Sequence, residues 1–441
     1  MAQDSICDLC ATPRAIVESI EPFSSFLGAD VPTPYRARDA DLTRSGPLSL
    51  KLLLTLLLYL VADAGRRGYE ALLDQFWDEC RDLDLTLPTE RPISASAFCQ
   101  ARKKIEPEFI RALLHHVADE FEARHGADFR WNGHRLLAVD GSKVSVQRSP
   151  KLRSALGVHP GGACPQMLLS TLYDVLSGVP RDITVAPTRS SERVELEHML
   201  PRCRSGDILL LDRGYPSFRV MHELRERSIH FVMRMPVGGT FSKIAAFAAS
   251  GDAEDVLELR PPVDLPRGLS PIRVRVVNLA ARDEEPFILL TDLLDEAYTA
   301  ADLDDLYHLR WKVEELYKLE KGDYLGQGQF HARSLPGVMQ EVYGFGLFVA
   351  ISRTFMATAA EVHAVPFSDL SQKRAILAVA SYITRLTLTA EPMAVLGTLR
   401  RLLERISRNI DPPRPGRSYP RRSFRPRPPW GGRGRTRGRL A

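Results

Sequence analysis

Apolar positions change their period along this chain, and each change marks a different kind of element. From Pro47 to about Ala127 they recur at helical spacing. Leu48–Val61, reading LSLKLLLTLLLYLV, is apolar on every side. It is too short to cross a bilayer and contains Lys51, so it is expected as a helix buried in a bundle. Tyr69–Cys80 sets Leu72, Leu73, Phe76 and Trp77 on one face. Ser94 and Ser96 both suit the N-cap of a helix with Phe98, Ala101 and Ile105 inward and Gln100, Arg102, Lys103 and Lys104 outward.

From Arg130 the period shortens. Strands are expected at Leu136–Asp140, at Lys143–Val146 after a turn at Gly141, and at Met167–Tyr173. A helix over Ser190–Leu200, a strand over Ile208–Asp212, a helix over Phe218–Arg227 and a strand over Phe231–Met235 follow. Strands first and helix–strand alternation afterwards predict an α/β layer on a mixed sheet. Between about Val237 and Tyr298 the pattern is β-rich, with strands at Ile272–Leu279 and Phe287–Thr291 around the charged turn ARDEEP. A helix from Thr299 to Lys321 comes next, opened by Thr299 with Asp302 three residues on and closed by Gly322. Further helices are expected over Val338–Met356 and Ala375–Ile406.

With 441 residues and 44% hydrophobic positions the chain has material for two or three domains. The net charge is only +4, and ten arginines from Pro412 onward outweigh it. That Arg/Pro/Gly-rich tail, 411–441, has nothing to build a core from and is expected to be disordered. Affinity for a polyanion must then come from local basic patches. Cys7, Cys10, Cys80, Cys99, Cys164 and Cys203 are scattered, which predicts a cytoplasmic protein without a disulfide framework. Cys7 and Cys10 have the spacing of half a zinc site, but no matching second pair follows. The N-terminus lacks the basic start and apolar core of a signal peptide, and no membrane partner is expected.

Candidate chemistry gathers on the helix from Thr299. At about 100° per residue, Tyr307, Arg310, Glu314 and Lys321 share one narrow stripe. Glu315 points about 100° away from Glu314, and Glu320 about 240°. A charged stripe is commonly a solvated face. Two apolar runs upstream, RLLAVDGS and DILLLDRGY, each end in an aspartate, Asp140 and Asp212. A carboxylate closing a buried strand is costly unless it is paired or bound to a cation. Two such residues and a singled-out glutamate make a candidate three-carboxylate site for a hard divalent cation, Mg2+ first and Mn2+ second.

These residues resemble the DDE transposases of bacterial insertion sequences that carry a Tyr-x2-Arg-x3-Glu-x6-Lys signature. Tyr307, Arg310, Glu314 and Lys321 match that spacing without a gap. The likeness extends to VDGS at Val139–Ser142, LLLDRGY at Leu209–Tyr215, FVMRM at Phe231–Met235 and SASAFCQARKKI at Ser94–Ile105, over roughly 45 to 355. It implies an α/β fold with an RNase H-like catalytic core, a β-rich insertion and an all-α N-terminal DNA-binding region. On this reading 1–129 is the helical DNA-binding region and 130–236 the first part of the core. The insertion covers 237–298, the Glu-bearing second part of the core 299–360, and a C-terminal helical region 361–410.

The resemblance further implies excision of a mobile element from double-stranded DNA and strand transfer to target DNA, by a homodimer bridging both ends in a bacterial cytoplasm. Asp140, Asp212 and Glu314 would be the catalytic and metal-binding residues. Arg310, Lys321 and Tyr307 would contact DNA, with Arg234 and the helix cations Arg102, Lys103 and Lys104 as further contacts. The same three carboxylates also suit a plain metal-dependent nuclease. An inactive transposase-derived DNA-binding protein is the third reading.

Overall fold

A computed structural model describes residues 48–63, 67–159, 162–236, 241–263, 265, 268–279, 287–318 and 330–411. Lys321, Glu320, Cys7, Cys10 and the tail from Pro412 lie outside these residues. Among the described residues the chain opens with four helices: α1 Leu50–Ala62, α2 Tyr69–Asp82, α3 Ala95–Arg102 and α4 Pro107–His125. Ser49 and Ser94 accept hydrogen bonds from Leu52 N and Ala97 N, satisfying first-turn donors of α1 and α3. Every residue of α1 but Lys51 is buried, as an all-apolar helix requires.

The sheet follows. β1 is Leu136–Ser145, β2 Gln166–Asp174, β3 Pro180–Pro187, β4 Ile208–Leu211 and β5 His230–Met235. Helix α5, Pro150–Leu156, separates β1 from β2. Helices α6, Glu192–Met199, and α7, Phe218–Glu226, lie before and after β4. The expected turn at Gly141 is absent. Backbone pairing with β2 runs unbroken from Leu137 to Ser145, so the two short strands of the sequence pattern are one long one. The region from 237 supplies α8, Ser242–Ser250, and strands β6 Glu254–Leu259, β7 Ile272–Leu279 and β8 Phe287–Thr291. β8 pairs with β5, so these strands extend the same sheet, giving the order β3-β2-β1-β4-β5-β8-β7-β6. The first five strands, antiparallel from β3 to β1 and parallel from β1 to β5, form the RNase H-like arrangement.

The expected single helix over 299–321 is two. α9, Ala300–His308, has the Thr299–Asp302 capping box, and α10 is Trp311–Lys318. Across the junction, Leu309, Arg310, Lys312 and Val313 each donate to a carbonyl three residues back, at 3.1 to 3.2 Å. This is a tight 3₁₀ turn, and it rotates the second helix relative to the first. α11 is Leu335–His363, followed by α12 Gln372–Leu388 and α13 Pro392–Ser407. Pro392 divides the helix expected over 375–406, because it cannot donate within a continuing helix.

Side-chain alternation along the strands feeds two cores. Leu136, Ala138, Ile208 and Leu210 join one with α1 to α4, α9, α10 and α11 to α13. Leu137, Val139, Leu209 and Leu211 join the other with α6, α7 and α8. α11 is long and apolar enough to cross a membrane by length and composition, and it is buried inside the first core.

Candidate active site

β1 and β4 are parallel, and Ala138 stands opposite Leu210. Two residues further along come Asp140, which lies inside β1 and does not close it as the sequence pattern suggested, and Asp212, just past the end of β4. Period-two alternation puts both on the face shared by Ala138 and Leu210, toward the core that holds α10. Backbone geometry therefore sets the two carboxylates side by side. Asp212 also shapes its own turn, since its Oδ1 accepts from Gly214 N at 2.8 Å.

α10 brings in Glu314. Val313, Leu316 and Tyr317 bury its apolar side, leaving Glu314 half-buried and Glu315 exposed. Tyr317 fixes the helix to the sheet: its hydroxyl donates to Asp140 O at 2.7 Å. Arg310 Nη2 donates to Glu314 Oε1 at 2.8 Å, and Nη1 lies 4.0 Å from Asp140 Oδ1. Arg310 is 8% exposed, with its Nε unpartnered. Burial pushes the Asp140 carboxyl up to about 7; Arg310 opposes the shift, while Asp212, Glu314 and Glu192 add to it.

Tyr307 is buried rather than presented to DNA. It packs at 5.9 Å from the Phe287 ring, with the Arg310 guanidinium 5.9 Å from its own centroid. Tyr307 stays beside Arg310, and Asp212 is among its electrostatic neighbours. Arg234, level with Asp212 in the β4–β5 register, lies half-buried over Phe287 at 4.7 Å. Its charge favours ionisation of Tyr307, against the burial that holds that phenol at about 12.

Arg102 is not an outward cation. It is 5% exposed, and its guanidinium reaches Glu341 at 3.1 Å, Tyr69 at 2.8 Å and Gly337 O at 2.8 Å, clamping α3 to α11. The α3 periodicity pointed it outward, and α11 supplies the buried carboxylate that draws it in. Lys103 is exposed and Lys104 half-buried.

Sequence reasoning passed over Glu192, Tyr317 and Tyr215 as site residues. Glu192 reads as an ordinary acidic residue in a first helical turn. Tyr317 sits one turn beyond Glu314, a spacing that placed it beside the site once the helix was assigned. Tyr215 stands in the DRGY run and is fully buried.

The donor set around Asp140 is all carboxylate oxygen, and its mutual repulsion is met by Arg310 alone among the charges that favour Asp140 ionisation. In donor type and charge it fits a hard divalent cation. Among the described residues no three acidic, histidine or cysteine side chains are drawn together to ligand distance, and Glu314 is engaged by Arg310.

Residues 131–350 match a family model described as a transposase DDE domain, a span that contains Asp140, Asp212 and Glu314. No curated protein matches the chain. Among solved structures, a cryo-EM structure of a piggyBac transposase synaptic complex with hairpin DNA is similar at 11% identity and a TM-score of 0.45. The alignment covers 92% of this chain and 84% of that one.

Proposed function

Since the chain carries a transposase DDE domain, we propose that it cuts DNA at the ends of a mobile element of the insertion-sequence type and joins them to target DNA. The observation that carries this reading is the placement of Asp140, midway along β1, beside Asp212, just past the end of the parallel β4, with Glu314 brought toward them by α10. Asp140, Asp212 and Glu314 are the residues proposed to hold divalent cations, Mg2+ in the first instance and Mn2+ as substitute. When bound, such ions activate the attacking oxygen and stabilise the leaving one in phosphodiester cleavage.

The chain's own residues prepare this state. Arg310 keeps Glu314 within reach of Asp140 and holds the site together against carboxylate repulsion. Tyr317 ties α10 to the Asp140 backbone, so that Glu314 cannot drift from β1. Burial raises the Asp140 carboxyl, and a divalent cation held by Asp140, Asp212 and Glu314 would favour its ionised form.

Double-stranded DNA, at the element ends and at the target, is the proposed partner, bridged by a homodimer. Lys103, Lys104, Arg234 and Lys321 are proposed to meet its phosphates. Incubating the full chain with DNA that carries its own flanking inverted repeats and Mg2+, and mapping the product ends, tests the reading. Breaks confined to the repeat ends, with joined target products, are expected. Breaks at arbitrary positions would leave a nuclease instead.

A further inference from the structure

A fourth carboxylate reaches this centre from the other side of the sheet. Glu192 opens α6, whose Leu196 and Met199 pack in the core opposite to the one holding α10. Its side chain lies in a slot between two glycines, Gly141 next to Asp140 and Gly214 two residues after Asp212. A Cβ on Gly141 would stand 2.5 Å from Glu192 Cγ and 2.6 Å from its Oε1. A Cβ on Gly214 would stand 3.3 Å from Glu192 Oε2 and 3.1 Å from Asp212 Oδ1. Any larger residue at 141 would evict Glu192. The β1 backbone is thus bare at the one point where this carboxylate must pass to come level with Asp140 and Asp212.

Nothing among the described residues rewards that placement. Glu192 has no hydrogen bond or ion pair there, burial and Asp212 hold its carboxyl above the usual range, and exposed Lys143 supplies the opposing charge. A second polar group nearby is also unsatisfied. The Tyr215 hydroxyl is fully buried without a hydrogen-bond partner, and its electrostatic neighbours are Glu192, Asp140, Tyr317 and Asp212. A buried hydroxyl among carboxylates, bonded to none, is costly where it stands. Side chains held this way are ready to orient ligands once positive charge arrives.

Resting on the cation-dependent reading above, we propose that Glu192 is a positioning carboxylate of the reaction centre, drawing a divalent cation to Asp140 and Asp212, with the Tyr215 hydroxyl orienting these acids. Glu192 acts from the opposite face of the sheet to Glu314, so the site is approached by acids on both sides.

Mn2+ binding to the full-length protein, followed by electron paramagnetic resonance, tests this without reference to activity. Glu192→Gln fills the same slot without the charge, and about tenfold weaker Mn2+ binding is expected. Its melting temperature in chelator should equal or exceed that of the parent, because a repulsive, unpaired carboxylate is gone. Tyr215→Phe should weaken Mn2+ binding in the same direction. If Glu192→Gln binds Mn2+ as the parent does while Asp140→Asn does not, Glu192 has no part in the site although the cation reading stands. If Glu192→Gln melts lower in chelator, its role is structural and the proposal fails. If parent and Asp140→Asn bind Mn2+ equally, the cation reading falls, and this inference with it.

Discussion

Arg102 and Glu314 both carry charge on helices of mixed face, yet their environments assign them opposite tasks. Arg102 satisfies the fully buried Glu341, which also accepts from His331 N at 2.8 Å and Ala332 N at 3.1 Å. Removing one partner of such a pair strands the other charge in the core. Arg102→Ala is therefore expected to cost about 3–5 kcal/mol of unfolding free energy by chemical denaturation. Lys103→Ala should be near neutral for stability. Burial works to raise the Glu341 carboxyl, but His331 and Arg102 overcome it and hold the group below its usual range. A depressed folded value means that this contribution is present above the unfolded carboxylate pKa and lost as pH falls through the folded one. Arg102→Ala should therefore flatten the acid limb of the stability profile, measured by melting temperature from neutral pH down to about 3.

At the scale of elements, the junction between α9 and α10 sets which glutamate stands with Arg310. Glu314 stands beside Arg310 and faces Asp140, while Glu315 is exposed. Glu314→Gln should abolish end cleavage with end binding retained, and Glu315→Gln should stay active, both read from cleavage and gel-shift assays on the same DNA. A dead Glu315→Gln beside an active Glu314→Gln would overturn the placement of α10. The hold of α10 on β1 is separately measurable. Tyr317→Phe removes only the hydroxyl that donates to Asp140 O and, at 3.3 Å, to Leu169 O. About 0.5–1.5 kcal/mol of stability should be lost. Cleavage should fall further than that loss accounts for, since Glu314 is then less well placed.

Across the whole molecule, one sheet separates two cores, and Asp140 and Asp212 stand where its β1–β4 junction meets both. The ten arginines of the tail contribute a charge that the folded body largely lacks. Deleting Pro412–Ala441 is expected to weaken DNA binding at low salt and to reduce the slope of log affinity against log salt. An unchanged slope would show that the tail makes no phosphate contacts.

What the sequence determined by itself was everything carried by local periodicity. The buried α1, strands β4, β5 and β8, the Thr299 cap and the place of Asp212 after β4 are each specified within a few neighbouring residues. Asp140, Asp212 and Glu314 stood out as candidates because a carboxylate after an apolar run is conspicuous, and because the spacing around Glu314 matched a known signature. What tertiary structure decided was everything that depends on a distant partner. Gly141 passes through a continuous strand because β2 pairs with it on both sides, where local turn chemistry pointed to a break. Arg102 turned inward because Glu341, far along the chain, awaited it. The helix expected over 299–321 breaks at a 3₁₀ turn that no glycine or proline announces. Glu192 belongs with Asp212 only because α6 crosses the opposite face of the sheet and Gly141 leaves room for its side chain. Periodicity records which way a side chain points along its own element; which charge it meets there is settled only when the elements pack.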